Sequence, residues 1–366
     1  TYSAASGSTF AIGTTAVTVT ATDNSGNAST CSFNVVVADA TGPTISCTTA
    51  PATAEATSAS GAAVSYSASS ATDAVDSDVA ISYSAASGST FAIGTTTVTV
   101  TATDDTGNVS TCTFDVVVED STAPGLTCPT APATAEATSS SGAVVTYGTA
   151  SASDDVDSDI TISYSPASGS TFAIGTTQVT VTATDDYSNQ TTCTFNVVVS
   201  DTASPAITCG AHNNTNIDTS GNGTNDATEA TSASGAAVTW SASTATDAGD
   251  DSVAITYSTA SGSTFAIGTH TITATATDDS GNTSTCTFTV KVADTTSPAI
   301  TCASAPATAE ATSSAGAAVS YGAATATDSG DASVAITYSA ASDSTFAIGT
   351  TEVTATATDD SGNTST

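Results

Sequence analysis

The sequence predicts an all-β protein made of tandem β-sandwich modules with a period of about 81 residues. Three observations lead there. The string Ser-Thr-Phe-Ala-Ile-Gly-Thr occurs five times, with its phenylalanine at Phe10, Phe91, Phe172, Phe265 and Phe346, at successive offsets of 81, 81, 93 and 81 residues. Each copy leads into a strict threonine/apolar alternation, the period of a half-buried strand. Eight cysteines recur in register with the same period. The expected modules are 1–38 (a C-terminal part), 39–119, 120–200, 201–293 (carrying a 12-residue insertion) and 294–366 (lacking a last strand).

The module 39–119 shows the expected elements in order. Thr44 to Cys47 and Ala52 to Thr57 read as one first edge interrupted by Pro51, since proline donates nothing to a ladder and belongs on edges. Ala62 to Ser67 and Val79 to Ser84 alternate, and Gly88 to Gly94 reads as a short strand with a turn. In Thr97 to Thr103 the alternation places Val98, Val100 and Ala102 inward and four threonines outward. Asp104 to Asn108 reads as a turn, and Thr111 to Val118 as the last strand. About seven short strands with Gly/Asp/Asn turns and no helical period indicate an immunoglobulin-like or fibronectin-like sandwich.

Composition excludes several classes of function. There are 35 acidic side chains and one basic one, Lys291. A nucleic-acid binder needs cations to displace phosphate counterions, and an anionic membrane surface would repel this chain. No apolar run has the length of a membrane span, and no signal peptide is visible. The absence of methionine and the alignment of Thr1 with Thr337 lead to the expectation that the chain opens inside a module of a longer protein.

The cysteines alternate between spacings of 16 and 65 residues, the latter becoming 77 across the insertion. The 16-residue route runs through an extended strand and a proline-containing linker, and at about 3.3 Å per residue it spans tens of ångströms. A disulfide needs Cα atoms within about 7 Å. The expected bridges are therefore Cys47–Cys112, Cys128–Cys193 and Cys209–Cys286, which leaves Cys31 and Cys302 with partners beyond the chain. Such bridges imply an oxidising compartment. Metal ligation is the rival use, but there is no CxxC and there are only two histidines.

Four motifs recur in register: Phe91-Ala92-Ile93-Gly94-Thr95-Thr96-Thr97-Val98; the turn Ala-Thr-Asp-Xaa-Xaa-Gly-Asn; the strand start Cys112-Thr113-Phe114; and the linker Asp-Xaa-Thr-Xaa-Pro-Xaa-Ile-Xaa-Cys. Together they resemble the hyalin repeat (HYR) domain over the whole chain. The resemblance implies an immunoglobulin-like fold and a role in extracellular adhesion or matrix. Asp73-Ala74-Val75-Asp76 stands where many such modules carry Asp-Asn-Cys, leaving one bridge per module. The third module's turn reads Tyr187-Ser188-Asn189 without glycine and is expected to be looser.

Carboxylates fall where modules should meet. The sandwich places Asp73, Asp76 and Asp78 of one loop beside Asp104, Asp105 and Asn108 of another and the linker residue Asp39. A glutamate eight residues after the leading cysteine (Glu55, Glu136, Glu310) should reach the following junction. One junction would then gather Glu55, Asp120, Asp154, Asp155, Asp185 and Asp186, a hard oxygen set suited to Ca²⁺. Solvated turn aspartates are the plainer alternative. The insertion offers a second calcium candidate with EF-hand spacing: Asp218, Ser220, Asn222, Thr224 (by its carbonyl), Asp226 and Glu229, with Gly223 at the sixth place. No helices flank it, and a plain Gly/Asn loop is the alternative.

Sequons recur at Asn27, Asn108, Asn189, Asn282 and Asn363, with Asn213 and Asn222 in the insertion. Because the repeated one is the turn asparagine, turn chemistry explains it without glycans. The threonine rows could form an ice-binding face, but they suit the solvent side of a strand. No catalytic constellation is found around His212 or His270, and Trp240 takes a packing position filled by Tyr66 and Tyr147 elsewhere. The expectation is a structural or adhesive segment of an extracellular filament or stalk, associating with copies of itself, neighbouring modules, or cell-surface or matrix components. A carbohydrate- or cell-surface-binding array, or the stalk of a secreted enzyme, is the alternative.

Overall fold

The computed structural model describes residues 1–213 and 215–366. Every regular element in them is a strand. The chain opens with β1 (Gly13–Thr22) and β2 (Ala28–Val37), an antiparallel pair. The module 39–119 then forms β3 (Thr44–Ser46), β4 (Ala54–Glu55), β5 (Ala62–Ala63), β6 (Ser70–Thr72), β7 (Ala80–Tyr83), β8 (Thr90–Phe91), β9 (Gly94–Thr103) and β10 (Val109–Glu119). Its main sheet has the order β4-β10-β9-β7, and the facing layer consists of the pairs β3-β6 and β5-β8.

The first edge is not one strand. Pro51 lies in the break, and the chain crosses there from one layer to the other. β3 pairs antiparallel with β6, and β4 runs parallel to the end of β10, with Ala54 opposite Val118 and Glu55 opposite Glu119. That crossing carries Glu55 to the far end of the module.

The alternation of β9 buries Val98, Val100 and Ala102 completely. β10 adds Phe114, Val116 and Val118 from the neighbouring strand, and Phe91 and Val64 close the core from the opposite layer. Tyr66 packs edge-on to Phe114, with ring centroids 4.8 Å apart. It donates its hydroxyl hydrogen to the Ala85 carbonyl. Small modules bury limited core, and here a disulfide ties the two layers: Cys47, just after β3, is bonded to Cys112 on β10, with Cα atoms 6.0 Å apart. Gly61 makes the turn before β5 at φ +99°, where a Cβ would fall 1.8 Å from the Phe91 carbonyl oxygen. Only glycine fits there.

The same pattern recurs along the chain. The main-sheet pair of module 201–293 is Gly268–Thr277 with Thr283–Ala293, and the equivalent pair of module 120–200 is Gly175–Thr184 with Gln190–Ser200. Cys128–Cys193 and Cys209–Cys286 are bonded, with Cα separations of 6.0 and 5.7 Å. Cys31 and Cys302 have no cysteine partner within these residues. The third module's turn keeps its form without glycine: Ser188 takes the left-handed conformation (φ 74°) that Gly107 takes in its neighbour. By chain contacts the molecule forms two compact units. The first holds module 39–119 and the second module 201–293, and strands of 120–200 contribute to both.

Candidate functional site

The junctions between modules are assembled from a linker aspartate, two loops and a turn. In the turn Asp104–Asn108, the Asp104 carboxylate accepts from the backbone N–H groups of Thr106 and Asn108 at 3.0 and 2.8 Å. The Asn108 amide then donates to Asp104 Oδ2 at 2.7 Å and to the linker carbonyl of Asp39 at 3.3 Å. Asn189, Asn282 and Asn363 hold the carbonyls of Asp120, Asp201 and Asp294 in the same way, at 3.1, 3.2 and 3.2 Å. The turn asparagine is thus a clamp that fixes the linker against the following module.

This clamp turns the linker carboxylate inward. Oδ1 of Asp120, Asp201 and Asp294 accepts a backbone N–H two residues on. Oδ2 of each is buried with no hydrogen-bond partner, and so is Oδ2 of Asp39 and Asp328. Carboxylate oxygens of Asp39, Asp73 and Asp104 lie within 4.8 Å of one another, as do those of Asp201, Asp247 and Asp278, and those of Asp294, Asp328 and Asp331. Burial, aided by the facing carboxylates of Asp154, Asp185 and Glu55, holds the Asp120 carboxyl above its ordinary pKa. Burial does the same to Asp201 and Asp294, each beside two further aspartates. At Asp104 burial also works upward, but hydrogen bonds from Asn108 and Thr106 outweigh it and the carboxyl lies below its usual range. A buried, unpaired carboxylate oxygen facing two more carboxylates is costly. An oxygen-liganded divalent cation would satisfy it, and the donor set fits Ca²⁺.

A glutamate secures the linker from the preceding module. Glu55 accepts from the Ser121 N–H and the Thr122 hydroxyl at 2.8 Å each, and from the Ser121 hydroxyl at 2.7 Å. Glu136 holds Thr202 and Ala203. Glu229 holds Thr295 and Thr296. The Ser121 hydrogen bonds, then that of Thr122, pull the Glu55 carboxyl below its ordinary pKa, and Thr202 does so for Glu136.

Among the residues singled out from sequence, Asp154, Asp185 and Glu55 all act electrostatically on Asp120, although among the described residues these acids do not form one of the close carboxylate groups. Asp155 and Asp186 are exposed. Asp186 contributes instead its backbone N–H, which donates to Asp157 at 2.6 Å. Asp157 is buried and, like its counterparts Asp250 and Asp331, is not among the sequence candidates; Asp76, which is, receives the same bond. The recurring Asp-Xaa-Xaa-Asp spacing was the available signal.

The insertion divides its carboxylates. Asp218 accepts from the N–H groups of Ser220, Gly221 and Gly223, and Asn222 accepts from Thr224. Asp226 takes Thr219 at 2.7 Å and lies 3.9 Å from Lys291, which also donates to Thr219. Glu229 pairs with Ala293 in the parallel edge and serves the linker. Asp218, Asp226 and Glu229 thus have different principal partners, and among the described residues they are not one of the close carboxylate groups. Of the sequons, Asn108, Asn189, Asn282 and Asn363 commit their amide nitrogens to the clamp, and Asn27 donates to Asp23 at 3.0 Å. Asn214, inside the Asn213 sequon, lies outside the described residues.

Sequence comparison agrees with this modular geometry. The HYR domain family model matches residues 1–37, 38–118, 119–199, 200–292 and 293–366. The chain is 33% identical over 305 residues to hyalin of Lytechinus variegatus, covering 80% of this chain and 56% of that protein. To hyalin of Strongylocentrotus purpuratus it is 32% identical over 369 residues, covering 98% and 30%. It thus spans about half of one relative and under a third of the other. Among solved structures it is similar to the protocadherin GammaB4 extracellular domain at 15% identity, 96% and 71% coverage and a TM-score of 0.31. Mouse cadherin-23 EC22-24 gives 14% identity, 69% and 99% coverage and a TM-score of 0.27. With five consecutive modules matched and the repeated clamp between them, the chain belongs to the HYR domain family.

Proposed function

We propose that this chain is a structural and adhesive segment of an extracellular repeat protein, in which disulfide-closed modules are locked end to end by calcium at their acidic junctions. The observation that carries the reading is the buried, unpaired Oδ2 on Asp39, Asp120, Asp201 and Asp294, which at Asp39, Asp201 and Asp294 lies in a close group with two further carboxylates. Three disulfides favour an oxidising exterior. Both relatives reported above are hyalin, and the chain matches the HYR domain model along its length. Among the described residues no helix is long and apolar enough to cross a membrane.

The function is mechanical. A divalent ion pulls the linker carboxylate and the next module's loops onto one centre, while the glutamate latch holds the linker to the module before. Partners are neighbouring modules, copies of the chain, and cell-surface or matrix components. With 35 acids against one lysine, contacts between copies need cations to offset repulsion. Equilibrium dialysis of the metal-free chain against Ca²⁺ tests the reading. Uptake that Asp201→Asn reduces supports it, and no uptake at millimolar calcium overturns it.

A further inference from the structure

The junctions repeat the same acids but differ at one apolar position. In the loop that follows Asp154, Val156 is buried and joins the core cluster of the preceding module, with Ala56, Phe91, Val98, Val116 and Val118. The equivalent positions of the next two junctions are Gly249 and Gly330. There the loop backbone lies directly on the linker carboxylate. A Cβ on Gly249 would fall 2.5 Å from Asp201 Oδ2, and one on Gly330 2.5 Å from Asp294 Oδ2. Neither glycine can plug the preceding module, and both cradle a carboxylate whose Oδ2 is buried and unpaired. Asp201 and Asp294 are more than nine-tenths buried.

We propose that the junctions are of two kinds: the one at Asp120 is held by the Val156 plug with or without cation, and those at Asp201 and Asp294 close only when a divalent cation binds their carboxylates. The inference rests on calcium binding at the linker aspartates. The physical reason is a difference in cohesion. Burying one valine supplies a cation-independent attraction across the Asp120 junction. The glycine junctions have no such contact, and their closed form gathers three facing carboxylates, which repel until a cation neutralises them. Calcium would then switch particular hinges of the string and leave others fixed. The insertion-bearing module 201–293 lies between the two switchable ones.

Amide hydrogen exchange of the whole chain, with Ca²⁺ and then with a chelator, reads each linker separately. Removal of calcium is expected to speed exchange at Ala203 and Thr296 at least tenfold, with Thr122 changing less than threefold. In the Val156→Gly variant, Thr122 should acquire the tenfold response. Asp201→Asn should remove the response at Ala203 and leave that at Thr296. Equal responses at all three linkers overturn the division while leaving calcium binding intact. Absence of response at every linker, together with absence of calcium uptake, overturns the underlying reading as well.

Discussion

Replacing Cys209 and Cys286 together by alanine isolates the contribution of one disulfide, because module 201–293 contains the chain's single tryptophan. Trp240 is buried in that module's core, 5.7 Å from Phe288 and 5.8 Å from Tyr257 between ring centroids. Its fluorescence therefore reports the unfolding of this module within the intact chain. The bridge closes a loop with a sequence separation of 77 residues. On the chain-entropy model its loss should cost about 4.5 kcal/mol. A domain of this size has a total stability of roughly 5–14 kcal/mol. With a urea slope of about 1–2 kcal/mol per molar, the tryptophan transition should fall by ~2–4.5 M urea. The matched control, Cys47→Ala with Cys112→Ala, removes a bridge from another module and should leave the tryptophan transition in place. A shift under about 1 M in the first variant, or a comparable shift in the control, would refute the picture of modules closed and stabilised one by one.

Other consequences follow from the turn, the latch and the clamp. Gly235→Ala puts a Cβ 1.8 Å from the Phe265 carbonyl oxygen at φ +97°. It should cost at least 1–3 kcal/mol by the same tryptophan assay. Asn282→Ala removes the donor to both the Asp201 carbonyl and the Asp278 carboxylate. The expected loss is roughly 1–3 kcal/mol, and Asn282→Asp should not restore it, because a carboxylate cannot donate. Glu136 has a lowered pKa in the folded chain through Thr202. Its latch is therefore fully present above the ordinary glutamate pKa and is lost as pH falls through the lowered value. Exchange at Thr202 and Ala203 should quicken over that acidic window, and Glu136→Gln should show the fast rate at neutral pH. The raised carboxyls of Asp201 and Asp294 bind protons more tightly than ordinary aspartates. Calcium affinity should accordingly weaken as pH falls toward their range.

Much of the module is written in its periodicity. The inward set Val98, Val100 and Ala102 follows from strict alternation, and its burial is complete. β6 (Ser-Ala-Thr) escaped notice because three small residues carry no strand signal of their own and pair only through β3. The sequence predicts one continuous first edge. Pro51 marks the break, but nothing local says that the chain then changes layer to run parallel with β10.

The junction acids were legible as a group but not one by one. Asp155 and Asp186 look equivalent to their neighbours in sequence, and only the loop geometry turns them outward and Asp157 inward. Glu229 fits a twelve-residue calcium loop by spacing and a linker latch by strand register. The register decides its partners in the fold. Val156 was invisible as a contact residue, because its burial depends on the module before it.

The most direct test of the whole account is calorimetric titration of calcium into the metal-free chain, with the count of sites read from the end point. One ion per linker aspartate is expected, at Asp39, Asp120, Asp201 and Asp294, with one ion lost in Asp294→Asn and none lost in Asp155→Asn. A count that ignores Asp294→Asn, or a chain that takes up no calcium, would contradict it.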